Sequence, residues 1–188
     1  MQSTSGRARP ANQTLQSHRS YGFTLIELMV TIAVAAILLA IATPSFTSII
    51  NSNRLTSASN EMVATLQAAR MEAVRRNTAV NVCTGCDGNA ASLVAFVDAN
   101  DDGNAAAGEI VRVVIINPAV ELSGGSDLVF LSSGFGYDAA DPNGALLATS
   151  FRFCIPTTKP AENVRVVSVG SGSRISTDRE DGGGVCPP

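Results

Sequence analysis

The chain has 188 residues, with 13 basic and 16 acidic side chains and a formal net charge of −3 at pH 7. This length suits one anchor segment plus one small domain, and the acidic balance argues against a generally nucleic-acid-binding surface. The sequence contains one histidine, His18, and has no Ser-His-Asp set and no phosphate-binding P-loop. No class of enzyme is therefore indicated.

Residues 1–22 form a polar leader that is rich in Ser, Gln and Arg. It contains Arg7, Arg9 and Arg19 and no acidic residue. Because basic flanks stay on the cytoplasmic side of a membrane, we expect the leader in the cytoplasm and the chain beyond the next segment outside it.

An apolar segment follows the leader and contains a single carboxylate. Phe23 to Ala42 is 20 residues, about 30 Å of helix, which is enough to cross a bilayer. We therefore predict a transmembrane helix over residues 23–43. Glu27 lies on its first turn, where a charge is costly in lipid unless it is paired, so Glu27 is a candidate functional residue. The alternative is an ordinary single-span anchor with an incidental glutamate.

The sequence G-F-T-L-I-E-L, from Gly22 to Leu28, resembles the N-terminal signal of type IV prepilins and type II secretion pseudopilins. In that family prepilin peptidase cuts after the glycine and methylates the new N-terminal phenylalanine, which implies processing at Gly22 and Phe23. The resemblance also implies insertion into the inner membrane and later assembly with other pilins into a cell-surface pilus or a periplasmic pseudopilus. Glu27 would then pair with the N-terminal amine of a neighbouring subunit.

A second helical pattern covers residues 44–77. Its apolar positions recur at intervals of three and four: Leu55, Ala58, Met62, Leu66, Ala69 and Ala73. This spacing predicts an amphipathic helix with one face against a sheet. Pro44 either bends a continuous helix or ends the anchor before a second helix begins.

Beyond Asn77 the apolar period changes to two. The predicted strands are 78–83, 92–98, 109–116, 127–132, 150–155, 163–169 and a weaker 174–176, separated by Gly, Asn, Asp and Pro. This order predicts an α+β fold, in which a long N-terminal helix packs on an antiparallel sheet formed by residues 78–188.

Four phrases within the strand region are similar to the GspH/FimT group of minor pilins and pseudopilins: V-x-V-C, V-x-F-x-D, D-G-x-x-x-x-G-E-I-x-R and F-R-F-C. The resemblance implies a pilin-like fold and a minor type IV pilin that helps to initiate assembly at or near the pilus tip. Two alternatives remain open. One is a GspH-type pseudopilin of type II secretion, and the other is a FimT-like minor pilin that binds DNA during uptake.

An acidic segment begins at Asp98 and fits the calcium-loop pattern D-x-[DN]-x-[DN]-G-x5-E. Its oxygen ligands for Ca²⁺ would be Asp98, Asn100, Asp102 and Glu109. The flanking segments read as strands and not as helices, so the alternative is a long hairpin tip whose Asn, Asp and Gly residues make turns.

The four cysteines, Cys83, Cys86, Cys154 and Cys186, all follow the membrane helix. On the non-cytoplasmic side an even number indicates disulfides, and four cysteines allow three pairings. Cys83 and Cys86 follow a strand and enter a turn, which favours a local disulfide over a redox or zinc site. Cys154 would then pair with Cys186.

The C-terminal arm contains Gly172, Arg174 and Arg179, whereas FimT-type proteins carry a G-R-x-R-like element that in some members binds DNA. Ser176 stands where the second arginine is expected, and acidic neighbours oppose the charge. A local patch for phosphate would consist of Lys159, Arg165, Arg174 and Arg179. The alternative is a solvated loop.

Overall fold

The computed structural model describes residues 22–187, except for the side chains of residues 43 and 44. Two compact units divide the chain, Met1–Ala40 and Ile41–Pro188. Predictions for leader residues 1–21, including its three arginines, lie outside the described residues.

One helix, α1, runs from Leu25 to Arg76 over 52 residues. It continues through residue 44, so no separate second helix begins there. The helix ends where Asn77 adopts a positive φ of 53° and the Thr78 N–H donates to the Ala73 carbonyl at 3.2 Å. A left-handed residue followed by this backward hydrogen bond is a common way to end a helix, since it satisfies a carbonyl of the last turn.

Ten strands follow α1 within the described range. Their bounds are β1 Val80–Thr84, β2 Ser92–Phe96, β3 Ile110–Ile115, β4 Glu121–Gly124, β5 Leu128–Phe130, β6 Gly136–Asp138, β7 Asp141–Leu146, β8 Thr149–Cys154, β9 Val164–Val169 and β10 Ile175–Glu180.

The strands form two antiparallel sheets, where the sequence predicted one. The six-stranded sheet has the order β3-β2-β1-β5-β6-β7, and the four-stranded sheet has the order β10-β9-β8-β4. All seven strands predicted from the sequence are present, with bounds shifted by at most four residues. The sequence analysis missed β4, β6 and β7, which are short or rich in Gly, Pro and Asp and lack a period of two.

The main core lies where α1 meets both sheets. Leu55, Met62 and Leu66 of α1 are fully buried, together with Phe130 of β5 and Phe153 of β8. Burying such side chains contributes about 1.5–3 kcal/mol each. The stripe predicted from the helical period is therefore the core face of α1, although Ala58 within it is only partly buried.

A smaller core covers the opposite face of the six-stranded sheet. It contains Cys83, Val94 and Phe96, with Cys86 and Ala105 packed against them. The turn after β1 and the acidic loop after β2 thus cover this face.

Candidate functional site

The predicted processing site lies just before α1. Residues 22–24 are not helical, and the Phe23 side chain is 83% exposed. A Cβ atom added to Gly22 would meet no other atom within 4 Å. The peptide bond between Gly22 and Phe23 is therefore accessible, and nothing else in the described chain requires a glycine at residue 22.

Thr24 caps the N-terminus of α1. Its hydroxyl oxygen accepts a hydrogen bond from the Glu27 N–H at 3.2 Å, and its carbonyl accepts from the Leu28 N–H at 3.1 Å. Thr24 and Glu27 thus occupy the two positions of a T-x-x-E capping box, and a carboxylate in the first turn also interacts favourably with the helix dipole. The sequence analysis predicted the helix from Phe23 and missed this cap, although the T-x-x-E spacing signals it.

The first unit of the chain exposes an apolar helix surface. Every large apolar side chain between residues 25 and 39 is more than half exposed. The helix is long and apolar enough to cross a membrane by length and composition. Thr31, a polar residue within it, donates its hydroxyl to the Leu28 carbonyl at 2.8 Å. A single-pass membrane anchor is consistent with this surface.

The cysteines lie in two pairs within the second unit. Cys83 bonds to Cys86, with Cα atoms 6.1 Å apart, and Cys154 bonds to Cys186, with Cα atoms 5.5 Å apart. This is the pairing that the sequence analysis favoured. The second disulfide ties the C-terminal tail to β8.

Asn163 reinforces that attachment, and the sequence analysis missed it. Its buried side chain donates to the Ile155 carbonyl at 3.0 Å and to the Val185 carbonyl at 3.2 Å, and it accepts from the Gly182 N–H at 2.8 Å. An asparagine at the start of a strand gives no sequence signal for hydrogen bonds to Gly182 and Val185, which are 19 and 22 residues away along the chain.

The acidic segment forms the loop of the β2–β3 hairpin. Asp98 accepts from the Gly103 N–H at 2.9 Å and from the Asp102 N–H at 3.2 Å. The two Glu109 oxygens accept from the Ala99 N–H at 3.1 Å and the Ala106 N–H at 3.2 Å.

The remaining two predicted calcium ligands are also held in turns. Asn100 accepts from the Asp102 N–H at 3.2 Å, and Asp102 accepts from the Asn104 N–H at 2.7 Å. Within the part of the chain that the structure describes, no group of three or more His, Cys, Asp or Glu side chains is arranged to hold a metal ion. The side-chain oxygens fit a hydrogen-bonded hairpin tip, and calcium binding stays a prediction.

The predicted basic residues differ in exposure, although Arg165 of β9 lies directly opposite Arg179 of β10. Arg165 is only 2% exposed, and its guanidinium donates to the Glu162 carbonyl at 2.8 Å and to the Ser52 hydroxyl at 3.3 Å. Burial lowers the pKa of the Arg165 guanidinium, and the positive charge of Arg179 acts in the same direction. Arg165 therefore does not present its charge to a phosphate backbone, which corrects its place in the predicted DNA-binding patch.

The other two arginines of that patch are on the surface. Arg179 forms an ion pair with Glu162 at 3.6 Å. Arg174 is exposed and makes no ion pair within residues 22–187. DNA binding by these two residues stays a prediction.

An exposed apolar N-terminal helix, followed by an amphipathic half packed on antiparallel strands, defines a pilin-like protein. Two protein-family models match the chain, the prokaryotic N-terminal methylation motif over residues 17–43 and the type II transport protein GspH over residues 58–172. The GspH match covers more than half of the chain, which therefore belongs to the GspH family of minor pilins and pseudopilins.

Two similar proteins have solved structures. The minor pseudopilin EpsH from the type 2 secretion system of Vibrio cholerae has a TM-score of 0.50 at 13% identity, covering 67% of this chain and 97% of EpsH. The type IV minor pilin FimU of Pseudomonas aeruginosa has a TM-score of 0.49 at 25% identity, covering 68% of this chain and 90% of FimU. Sequence comparison with curated proteins found no match. The likeness to EpsH confirms the predicted fold class, and the GspH match over residues 58–172 confirms the predicted family.

Proposed function

We propose that this chain is a minor subunit of a type IV pilus or a type II secretion pseudopilus, which helps to initiate filament assembly at or near the tip. The observation that carries the proposal is the exposed apolar helix with a single carboxylate on its first turn, within a match to the N-terminal methylation motif. Membership of the GspH family supports the same conclusion. The similar solved structures are a type IV minor pilin and a type 2 secretion pseudopilin, so the proposal includes both filament systems.

The anchor helix has two successive environments in this proposal. Before assembly it spans the inner membrane, with the β-rich unit on the extracytoplasmic side. During assembly the lipid around it is exchanged for the helices of other pilins. Because its large side chains are more than half exposed, the helix has the same apolar surface available for either environment.

Processing by prepilin peptidase creates the partner for Glu27. Cleavage between Gly22 and Phe23 leaves a positively charged amine at Phe23, next to the start of α1. A carboxylate held in an apolar environment is stabilised strongly by such a charge, whereas unpaired it is costly. Glu27 of one subunit therefore pairs with the amine of its neighbour and sets the register between them.

The test is Glu27→Ala in cells that assemble the filament. We expect the variant to insert and to lose its leader normally, because Glu27 lies beyond the scissile bond, but to be depleted strongly from sheared filaments or pseudopili. Thr31→Ala is a matched control, since it removes the next polar side chain of the same helix without removing a charge. Normal incorporation of Glu27→Ala into filaments would reject the pairing role.

Processing is tested separately at Gly22. Since a Cβ atom at Gly22 meets nothing within 4 Å, Gly22→Val leaves the fold of the chain unaffected. We expect this variant to insert into the membrane and to retain residues 1–22, as shown by its intact mass. Removal of the leader at the wild-type rate would contradict recognition of this site by the peptidase.

A further inference from the structure

Strand β3 is an open edge of the six-stranded sheet. It pairs with β2 on one side, and no described strand lies on its other side. The Ile116 N–H, just after β3, donates to the Ala91 carbonyl at 2.8 Å. Backbone groups alternate in direction along an antiparallel strand, so Val113 and Ile115 turn their N–H and C=O groups away from β2, towards the open edge.

The other three edges of the two sheets are protected in recognisable ways. Edge strand β7 contains Pro142 and Gly144, and β10 has the polar sequence I-S-T-D-R-E. Strand β4 has only four residues, and its Ser123 hydroxyl donates to the Pro187 carbonyl of the C-terminal tail at 2.9 Å. Prolines, charges, short length and covering segments are the usual protection against edge-to-edge pairing.

Among the described residues, edge strand β3 has no proline, short length or covering segment of this kind. Its sequence I-V-R-V-V-I is β-branched and apolar except for Arg112. Val113 is 45% exposed and Ile115 is 60% exposed. A long apolar edge of this kind is a template for pairing with another strand.

A groove of about 820 Å³ lies directly beside this edge. One wall is formed by α1 at Arg54 and Ala58, the other wall is β3, and the buried side chains of Leu93 and Phe153 line the groove. Since Leu93 pairs with Val114, the inward side chains of β3 face this groove, while Val113 and Ile115 lie on the opposite face. A strand added to β3 would therefore place alternate side chains into the groove and over the exposed valine and isoleucine.

The charges of the groove restrict its occupant further. Arg112 is neutralised by Glu61, at 2.6 Å between Nη2 and Oε2. Arg54 is exposed and has no ion pair among residues 22–187. The groove therefore carries one uncompensated positive charge, which a carboxylate on the incoming strand would balance.

We infer that β3 is a docking edge for an extended, β-branched segment of a partner protein that carries a carboxylate opposite Arg54. Main-chain hydrogen bonds to Val113 and Ile115 supply affinity, and the groove selects the alternate side chains. This surface includes no residue of the exposed apolar part of α1 over residues 25–39, so failure of the docking proposal would leave the proposed filament function untouched.

The test uses the full chain in detergent micelles and a fluorescent, terminally blocked hexapeptide probe, Val-Thr-Val-Glu-Val-Thr. We expect saturable binding, measured by fluorescence anisotropy, and slower hydrogen exchange at the amides of Val113 and Ile115. A peptide with N-methyl groups on alternate amides should bind at least about tenfold more weakly, because it lacks donors for the strand edge. Equal binding of this peptide, or no binding of the first, would overturn the proposal.

Variants of the edge give the matched comparison. Ile115→Lys places a charge on an exposed position of the edge, and Val113→Pro removes an N–H that points outwards and not towards β2. Both should weaken peptide binding at least about tenfold, while Leu146→Lys on the opposite edge strand β7 should not. Arg54→Glu should favour a probe with lysine in place of glutamate. Wild-type binding by both edge variants, or the same loss in Leu146→Lys, would show that the peptide binds elsewhere.

Discussion

Arg165 of β9 donates a hydrogen bond to the Ser52 hydroxyl of α1 at 3.3 Å, across 113 residues of sequence. Its Nη1 atom donates to the carbonyls of both Glu162 and Val164, at 2.8 and 3.1 Å. Its Nε atom is buried and has no hydrogen-bond partner among residues 22–187. A buried cation thus joins the four-stranded sheet to the helix, and no carboxylate of residues 22–187 lies within salt-bridge distance of it. A buried charge of this kind fixes how the sheet and the helix are arranged, but it adds little to the net stability of the fold.

Two substitutions of Arg165 should therefore behave differently. Arg165→Ala leaves a cavity and unpaired carbonyls, so we expect it to lower the free energy of unfolding by about 2–4 kcal/mol. Arg165→Met leaves the same carbonyls unpaired but fills most of the space and removes a poorly satisfied charge, so its cost should be at least about 1 kcal/mol smaller than that of Arg165→Ala. Denaturation of the full chain in micelles, followed by circular dichroism, measures both. A loss in the methionine variant as large as in the alanine variant would show that the charge itself stabilises the fold.

The last turn of α1 gives a prediction about pH. Hydrogen bonds from Arg75, and also from Arg76, lower the pKa of Glu72 from 4.5 to about 2. Because the folded pKa lies below the unfolded one, this carboxylate stabilises the folded state above pH 4.5, and the contribution is lost as pH falls towards 2.

We therefore expect Glu72→Gln to unfold at a lower temperature than the wild-type chain at pH 7 and at the same temperature near pH 2. Since the arginines are exposed, 1 M salt should also reduce the difference at pH 7. A difference between the two proteins that does not depend on pH would mean that packing of Glu72, and not its charge, is responsible.

The two disulfides should differ in their effect on stability. Cys154 and Cys186 are 32 residues apart, whereas Cys83 and Cys86 are three apart. On the chain-entropy model the longer loop contributes about 3–4 kcal/mol and the shorter one about 1–2 kcal/mol. Paired alanine variants should thus lose more stability at Cys154 and Cys186, as measured by denaturation under non-reducing conditions. Equal losses would mean that the entropy of the unfolded chain does not control the difference.

What the sequence predicts well here is periodic or local. The three-and-four spacing that includes Leu55 and Met62 identifies the core face of α1, because a helix that packs on sheets must bury one stripe. The motif from Gly22 to Leu28 identifies the family, because its residues are consecutive. Strand β7, with Pro142 and Gly144, is held by its neighbour β6 and has no periodic signal of its own.

The burial of Arg165 shows why the rest of the site could not be predicted. Its strand reads V-R-V-V-S-V, and an arginine there is expected on the solvent face. The register of β8 and β9 instead turns Arg165 to the same side as Phe153, towards α1. The register between distant strands decides which face of the sheet packs on the helix. The periodicity of the β9 sequence alone therefore does not predict that Arg165 is buried.

Hydrogen bonding within the acidic loop of the β2–β3 hairpin and calcium binding by that loop can be tested by separate measurements. Asp98→Ala removes the acceptor for the Gly103 N–H and one of the two acceptors for the Asp102 N–H. We therefore expect faster hydrogen exchange over residues 99–108 and a loss of about 1 kcal/mol without calcium. If the loop also binds Ca²⁺, the ion should raise the unfolding temperature of the wild-type chain but not that of Asp98→Ala. No heat on calcium titration of the wild-type chain would reject the calcium site and leave the hairpin.

The prediction of DNA binding now depends on Arg174 and Arg179. Because Glu162 pairs with Arg179 at 3.6 Å, it competes with phosphate for that guanidinium. Glu162→Gln should therefore strengthen DNA binding, while Arg174→Ala together with Arg179→Ala should weaken it and reduce the slope of log K against log salt by about two. Arg75→Ala, at the end of α1, is the control for a general loss of positive charge. Gel shifts with the full chain in micelles at several salt concentrations measure these effects, and absence of a salt-sensitive shift with the wild-type chain would remove DNA from its partners.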